Sequence, residues 1–189
     1  RGISEEMIEK YNLGYDEKSK MCVFPINKNC YFRRSTFGDL KLNTSGYVNC
    51  WGEDKLKDSV ESDFVIITES IIDAISLEQI NDRYPVISLN SVTHYNNFFD
   101  AMKKYDYKGN VVIATDNDTR GIMNAEIIKE KLKEMGVKYS FYYPFTHDYK
   151  DINEAYLNNS QELIDSYKYL DSVLEQIKKN YKFQDNYEI

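Results

Sequence analysis

Histidine is nearly absent, at two positions in 189 residues, and cysteine occurs only three times. Cys22, Cys30 and Cys50 form no C-x-x-C pair, and His94 and His147 stand far from them, so neither a disulfide framework nor a structural zinc site is supported. Reduced thiols in a cytoplasmic compartment are expected. His147, beside Asp148, reads as a surface loop residue, and His94, at a helix start, as a structural one. Long apolar runs are missing too: none approaches the roughly 18 residues that span a bilayer, and no basic stretch leading into an apolar one opens the chain. The expectation is a soluble protein without a membrane partner. The chain starts Arg1-Gly2, without Met, and enters a helical pattern at once, as a piece of a longer polypeptide would.

An excess of positive charge is also lacking. Lys and Arg number 24 against 31 Asp and Glu, a net charge of −7. Phosphate neutralisation supplies most non-specific nucleic-acid affinity, so a general coating protein is excluded. The charge is uneven along the chain. Residues 1–62 hold 10 basic and 10 acidic side chains, and residues 63–189 hold 14 and 21. Lys20, Lys28, Arg33, Arg34 and Lys41 form a basic strip with one acid, Asp39.

What is present suffices for a core, since 42% of residues are hydrophobic. Ser4 before Met7, with acids at Glu5 and Glu6 and Gly14 beyond Leu13, predicts a capped short helix. The runs C-V-F-P-I and C-Y-F-R-R around Asn27-Lys28-Asn29 predict a hairpin. Residues 38–62 are polar and read as irregular or short strands.

From Asp63 the pattern changes. Apolar runs at 64–68, 86–89, 111–115 and 138–143 alternate with helical patterns of ten to fifteen residues, which predicts βαβ units and a parallel sheet. The runs lack polar alternation, as in a sheet covered on both faces. Ile122, Ala125, Ile128, Leu132 and Met135 give the helix after Gly121 one apolar face. A last helix over about 160–181 carries Leu163, Tyr167, Leu170, Leu174, Ile177 and Tyr181 at steps of three and four; this stripe is expected to pack on its own domain.

Acids stand where the apolar runs end. Glu69 follows F-V-I-I-T, Asp116 and Asp118 follow V-V-I-A-T, and Asp151 and Glu154 follow the fourth run. Ligands bind outside the carboxyl ends of strands in open α/β sheets, so these carboxylates are expected to converge. Clustered carboxylates repel unless a cation neutralises them, and hard oxygen donors suit Mg²⁺. A divalent-metal site for phosphoryl chemistry follows as a hypothesis. Asp118 and Asp151 can alternatively cap the helices they precede. Asp73, one turn beyond Glu69, reads either as a group supporting the site or as a favourable charge at a helix N-terminus.

These residues resemble the TOPRIM family, the catalytic fold of bacterial-type primases, type IA and II topoisomerases and some nucleases. Its E-G-x-x-D, D-x-D-x-x-G and K-D-x-D elements stand here as Glu69-Ser70-Ile71-Ile72-Asp73, Asp116-Asn117-Asp118-Thr119-Arg120-Gly121 and Lys150-Asp151-Ile152-Asn153-Glu154. The first 62 residues resemble the basic subdomain that precedes TOPRIM in bacterial-type, phage and plasmid primases. Ser70, Asn90 and Asn153 depart from the family pattern, as does Gly46, which takes the lysine position of a K-Y-x-N element ending at Asn49.

The resemblance implies a Rossmann-like parallel sheet flanked by helices over 63–156, a small α+β subdomain over 1–62 before it, and a helical tail over 157–189. It further implies primer synthesis from nucleoside triphosphates on a single-stranded DNA template with Mg²⁺ or Mn²⁺. Glu69, Asp116 and Asp118 would be catalytic and bind metal, Asp151 would add a metal ligand, and Asp73 would support them. Arg33, Arg34, Lys28, Asn49 and Lys150 would contact nucleotide or template. A replicative helicase or other domains of the parent chain are possible partners. The alternatives are a metal-dependent nuclease using the same acids, or a non-catalytic binding module of a mobile-element replication protein.

Overall fold

The computed structural model describes residues 1–38, 40–43, 49–61 and 63–185. Gly46 and the two residues after it lie outside these, so of the Y-V-N element only Asn49 is described. Helix α1 (Glu5–Lys10) starts as expected, with the Ser4 hydroxyl accepting from the Met7 amide. An antiparallel sheet follows, formed by β1 (Gly14–Asp16), β2 (Met21–Asn27), β3 (Cys30–Ser35) and β4 (Lys41–Asn43) in that order. The expected hairpin is β2–β3, with its register broken between Pro25 and Asn27. Proline has no N–H for the ladder, which accounts for an irregularity there.

The second sheet is parallel: β5 (Phe64–Thr68), β6 (Val86–Ser88), β7 (Asn110–Ala114) and β8 (Ser140–Tyr142), in the order β6-β5-β7-β8. Helices α2 (Ile71–Ile80), α3 (Tyr95–Lys104) and α4 (Thr119–Glu134) connect successive strands. Inward residues alternate between two cores. Phe64, Ile66, Val86 and Val112 face α2, whereas Val65, Ile67, Ile87, Val111 and Ile113 face α3 and α4. Both faces are thus covered, which is why the strand sequences are apolar throughout. The chain steps from β5 to one side and later returns to the other, so the order reverses between β5 and β7. A crevice opens at such a reversal, beyond the carboxyl ends of those strands.

Helix α5 (Ile152–Asp185) is long and carries a break at Asn159 (φ −153°, ψ 70°). The sequence suggests two helices here, and the chain runs them together across that break. The expected boundary at 156/157 therefore falls inside α5. Leu163, Tyr167, Leu170 and Leu174 are buried against α2, so the stripe packs on its own chain as expected.

Helix α2 is buried on every side, from Ile71 to Glu78. It lies under the parallel sheet and α5, and Met7, Phe24, Phe32 and Trp51 of the first subdomain join the same core. Trp51 also pairs its backbone with Ser88 of β6 in an antiparallel bridge. The basic subdomain is thereby held against the carboxyl end of β6, the edge strand next to β5. Among the described residues, no helix is long and apolar enough to cross a membrane.

Candidate metal and nucleotide site

The site is built from three strand ends. Beyond β5, the Thr68 hydroxyl donates to the Ser70 carbonyl (3.0 Å), which fixes the turn carrying Glu69. Ser70 then caps α2: its hydroxyl accepts from the Asp73 amide (3.2 Å) and donates to Asp73 Oδ2 (2.5 Å). A glycine would leave this cap unmade, so the family departure at Ser70 has a structural use. Asn90 has φ +61°, a left-handed conformation that asparagine tolerates in place of glycine, and its side chain donates to the Asn49 carbonyl (2.9 Å).

Beyond β7, Asp118 caps α4 by accepting from the Gly121 amide through Oδ1 (2.8 Å). A Cβ at Gly121 would lie 2.0 Å from the Asp116 carbonyl oxygen, so only glycine lets the helix start this close behind the turn. The Asn117 amide donates to the Lys150 carbonyl (2.8 Å) and ties this turn to the loop after β8. There Asp151 caps α5, accepting from the Glu154 amide through Oδ1 (2.7 Å). The capping role of Asp118 and Asp151 therefore holds. It uses one oxygen of each carboxylate and leaves the other for a cation.

The electrostatics show one cluster. Burial, then the charges of Asp116 and Asp118, push Glu69 up to about 7. Burial, then Asp151, push Asp116 up to about 6. Asp73 is fully enclosed, and burial followed by Asp151 raises it to about 7. Asp118 is held below the usual range, chiefly by the Gly121 N–H. Lys150 answers this field: its Nζ lies 3.6 Å from Asp116 Oδ2 and 3.4 Å from Asp118 Oδ2. Asp73 is itself buried. It accepts from the Ser70 hydroxyl and from the Asn153 amide (2.9 Å). Asn153 is buried, donating through its side chain to Ser76 and to the Arg1 carbonyl.

A cavity of about 180 Å³ opens beside Glu69, with Phe32, Arg34, Lys41, Asn90 and Arg120 in its walls. Arg34 and Lys41 are cross-strand partners, which brings both to this wall. Arg33, one residue earlier, is absent from the lining, as strand alternation requires, and lies near the Tyr31 ring (5.8 Å). Lys28 sits in the turn between β2 and β3, also outside the lining. The Asn49 side chain is held by Asn27 and Glu53. Sequence reasoning did not single out Arg120 or Lys41 as site residues. Arg120 stands in the first turn of α4, where the helix dipole disfavours a cation, and that placement was the available signal.

The donors fit a divalent ion. They are hard carboxylate oxygens, and the Lys150 ammonium already stands as a cation against two of them. Among the described residues no three Asp, Glu, His or Cys side chains close into a ready cage. An open site suits Mg²⁺, which keeps water and substrate oxygens in its shell.

The Toprim-like family matches residues 66–156. No curated protein matches the chain. Among solved structures, the primase fragment of the bacteriophage T7 primase-helicase protein is 19% identical with a TM-score of 0.70, over 88% of this chain and 72% of that one. The primase domains of two T7 gp4 subunits, bound to an RNA/DNA hybrid and dTTP and interacting with T7 lagging-strand DNA polymerase, give 19% and 0.68, over 88% and 87%. A DnaG primase catalytic domain bound to ssDNA gives 15% and 0.55, over 93% of this chain and 61% of that one. Residues 66–156 thus form a Toprim-like domain, and the chain around them has the fold of bacterial- and phage-type primase catalytic cores.

Proposed function

We propose that this chain is a primase-like nucleotidyltransferase core that joins nucleoside triphosphates into a short primer on single-stranded DNA. The observation that carries the reading is a cavity that sets Glu69 against Arg34, Lys41 and Arg120, with Asp116 and Asp118 close enough to Glu69 for their charges to raise its pKa. Acids on one side suit a metal, and bases on the other suit a polyphosphate. The relatives' ligands, ssDNA in one and an RNA/DNA hybrid with dTTP in another, accord with such a crevice.

Asp116 and Asp118 would hold Mg²⁺ or Mn²⁺, with Asp151 next to them for a second ion. When bound, the metal polarises phosphoryl oxygens and acidifies an attacking hydroxyl. Glu69, with a pKa of about 7, is poised to take the proton from that 3′-hydroxyl at neutral pH. Arg34 and Arg120 orient the triphosphate by paired N–H donors, and Lys41 adds charge. Asp73 keeps Ser70, and with it the Glu69 turn, in place. The basic face of the first subdomain guides the template, and a helicase or further domains of the parent chain would deliver it.

Incubating the chain with single-stranded DNA, labelled nucleoside triphosphates and Mg²⁺ or Mn²⁺ tests this. Labelled primers are expected, and Glu69→Gln and Asp116→Asn should abolish them while circular dichroism stays unchanged. Shortening of the DNA strand without any primer would identify a nuclease instead. Synthesis retained by both variants would reject the assignment of these acids.

A further inference from the structure

We infer that Lys150 is a tethered counter-ion of the Asp116/Asp118 pair, holding the metal's place until the metal displaces it. The inference rests on the metal reading above and adds a residue that sets how tightly the site binds its ion.

Three observations carry it. One ammonium bridges both carboxylates, 3.6 Å from Asp116 Oδ2 and 3.4 Å from Asp118 Oδ2. Asp118 Oδ1 is already engaged by the Gly121 amide, so Lys150 stands on the oxygen that remains for a cation. The backbone of Lys150 is pinned independently of its side chain. Its carbonyl accepts from the Asn117 amide at 2.8 Å, and its amide donates to Glu154 Oε2 at 3.1 Å. The side chain itself is 60% exposed. The stem is therefore anchored beside the acids while its charged end can swing through water.

Chemistry makes the two cations exclusive. A lysine ammonium is a compact monovalent charge on a flexible stem. Mg²⁺ takes carboxylate oxygens at about 2.0–2.1 Å and repels a positive charge lying against the same oxygens. Entry of the metal must expel Lys150, and the lost ion pair weakens metal binding. In return the metal-free protein never leaves two bare carboxylates facing each other. The expelled ammonium stays at the rim, where it is available to a phosphate oxygen arriving with the metal.

The test is Mn²⁺ binding, read from the free-ion signal in electron paramagnetic resonance, with no activity involved. The folded chain, Lys150→Met and Lys150→Arg are titrated at one pH and ionic strength. Removing a like charge so near the ion should tighten binding by roughly tenfold in Lys150→Met. Lys150→Arg, which keeps the charge, should stay close to the parent. Adding Asp116→Asn to Lys150→Met should remove the gain. Equal Mn²⁺ affinity of the parent and Lys150→Met would overturn the inference and leave the metal site standing. Mn²⁺ binding by neither would overturn both. A gain that survives Asp116→Asn would place the ion elsewhere and also overturn it. The backbone bonds of Lys150 do not depend on its side chain, so all variants should keep the parent's circular dichroism, with Lys150→Met melting somewhat lower without metal for want of the ion pair.

Discussion

Asp73 and Asn153, eighty residues apart in sequence, are joined by a hydrogen bond from the Asn153 amide to Asp73 Oδ1 (2.9 Å). This contact fastens the start of α5 to the start of α2 and encloses the Asp73 carboxyl completely.

That enclosure has a pH consequence. Asp73 stands at about 7 in the folded chain against an ordinary 3.8, so the native state holds its proton more tightly than the unfolded one. The contribution is fully present below about pH 4 and is lost as pH rises through 7, a difference of up to roughly 4 kcal/mol. Asp73→Asn can accept from Asn153 and donate to Ser70 with no charge. In a chelator-containing buffer this variant should be more stable than the parent at pH 8, with the gap closing towards pH 4. Urea unfolding at several pH values measures it, and a variant weaker than the parent at pH 8 would show that the charge is compensated.

Gly121→Ala should damage both fold and site. The new Cβ would lie 2.0 Å from the Asp116 carbonyl oxygen, and backbone on both sides leaves nothing flexible to yield. Relief requires pushing the turn of Asp116 and Asp118 away from α4, at a cost of about 3 kcal/mol or more. Denaturant unfolding should show that loss, and Mn²⁺ titration of the variant that remains folded should show weakened binding. Unchanged stability would mean the turn has another seat.

The parallel sheet was readable because buried strands carry no alternation and their acids stand at the ends of apolar runs. Glu69, Asp116, Asp118 and Asp151 were visible for that reason. The basic strip was less transparent. Adjacent in sequence, Arg33 and Arg34 are sent to opposite faces of β3, and only Arg34 lines the cavity with Glu69. Lys41 reaches the same wall through a strand pairing that no local pattern announces. Helix α2 gave no amphipathic signal because it is buried all round, and the partners of its Glu78 are remote in sequence: Tyr11, 67 residues away, and Lys55, 23 residues away.

Those three residues clamp the first subdomain to the parallel-sheet domain. The Glu78 carboxylate accepts from the Tyr11 hydroxyl and from Lys55 Nζ, with Lys10 Nζ 3.6 Å away. Lys55 also donates to the Val86 carbonyl (2.9 Å) and lies over the Trp51 ring (4.5 Å). Removing one partner strands a buried charge, so Lys55→Met should cost about 3–5 kcal/mol. Glu78→Gln in the same chain should restore a large part of the loss. A double-mutant cycle by denaturant unfolding decides: additive losses would mean the two residues do not act as a pair.

Metal affinity should itself follow pH, because a carboxylate binds the ion only after releasing its proton. Glu69, at about 7, and Asp116, at about 6, are both partly protonated in weakly acidic buffer. Their protons compete with Mn²⁺, so affinity should climb between about pH 5 and 7.5 and level off above, while the ordinary carboxylate range would put the plateau near pH 5. Asp118, held low by the Gly121 amide, is ionised throughout and contributes no slope. Glu69→Gln should flatten the upper part of the climb and leave the part due to Asp116, which Asp116→Asn should remove. Mn²⁺ titrations in a single buffer series measure the slope, and an affinity independent of pH above 5 would mean that protons on these two carboxylates do not compete with the ion.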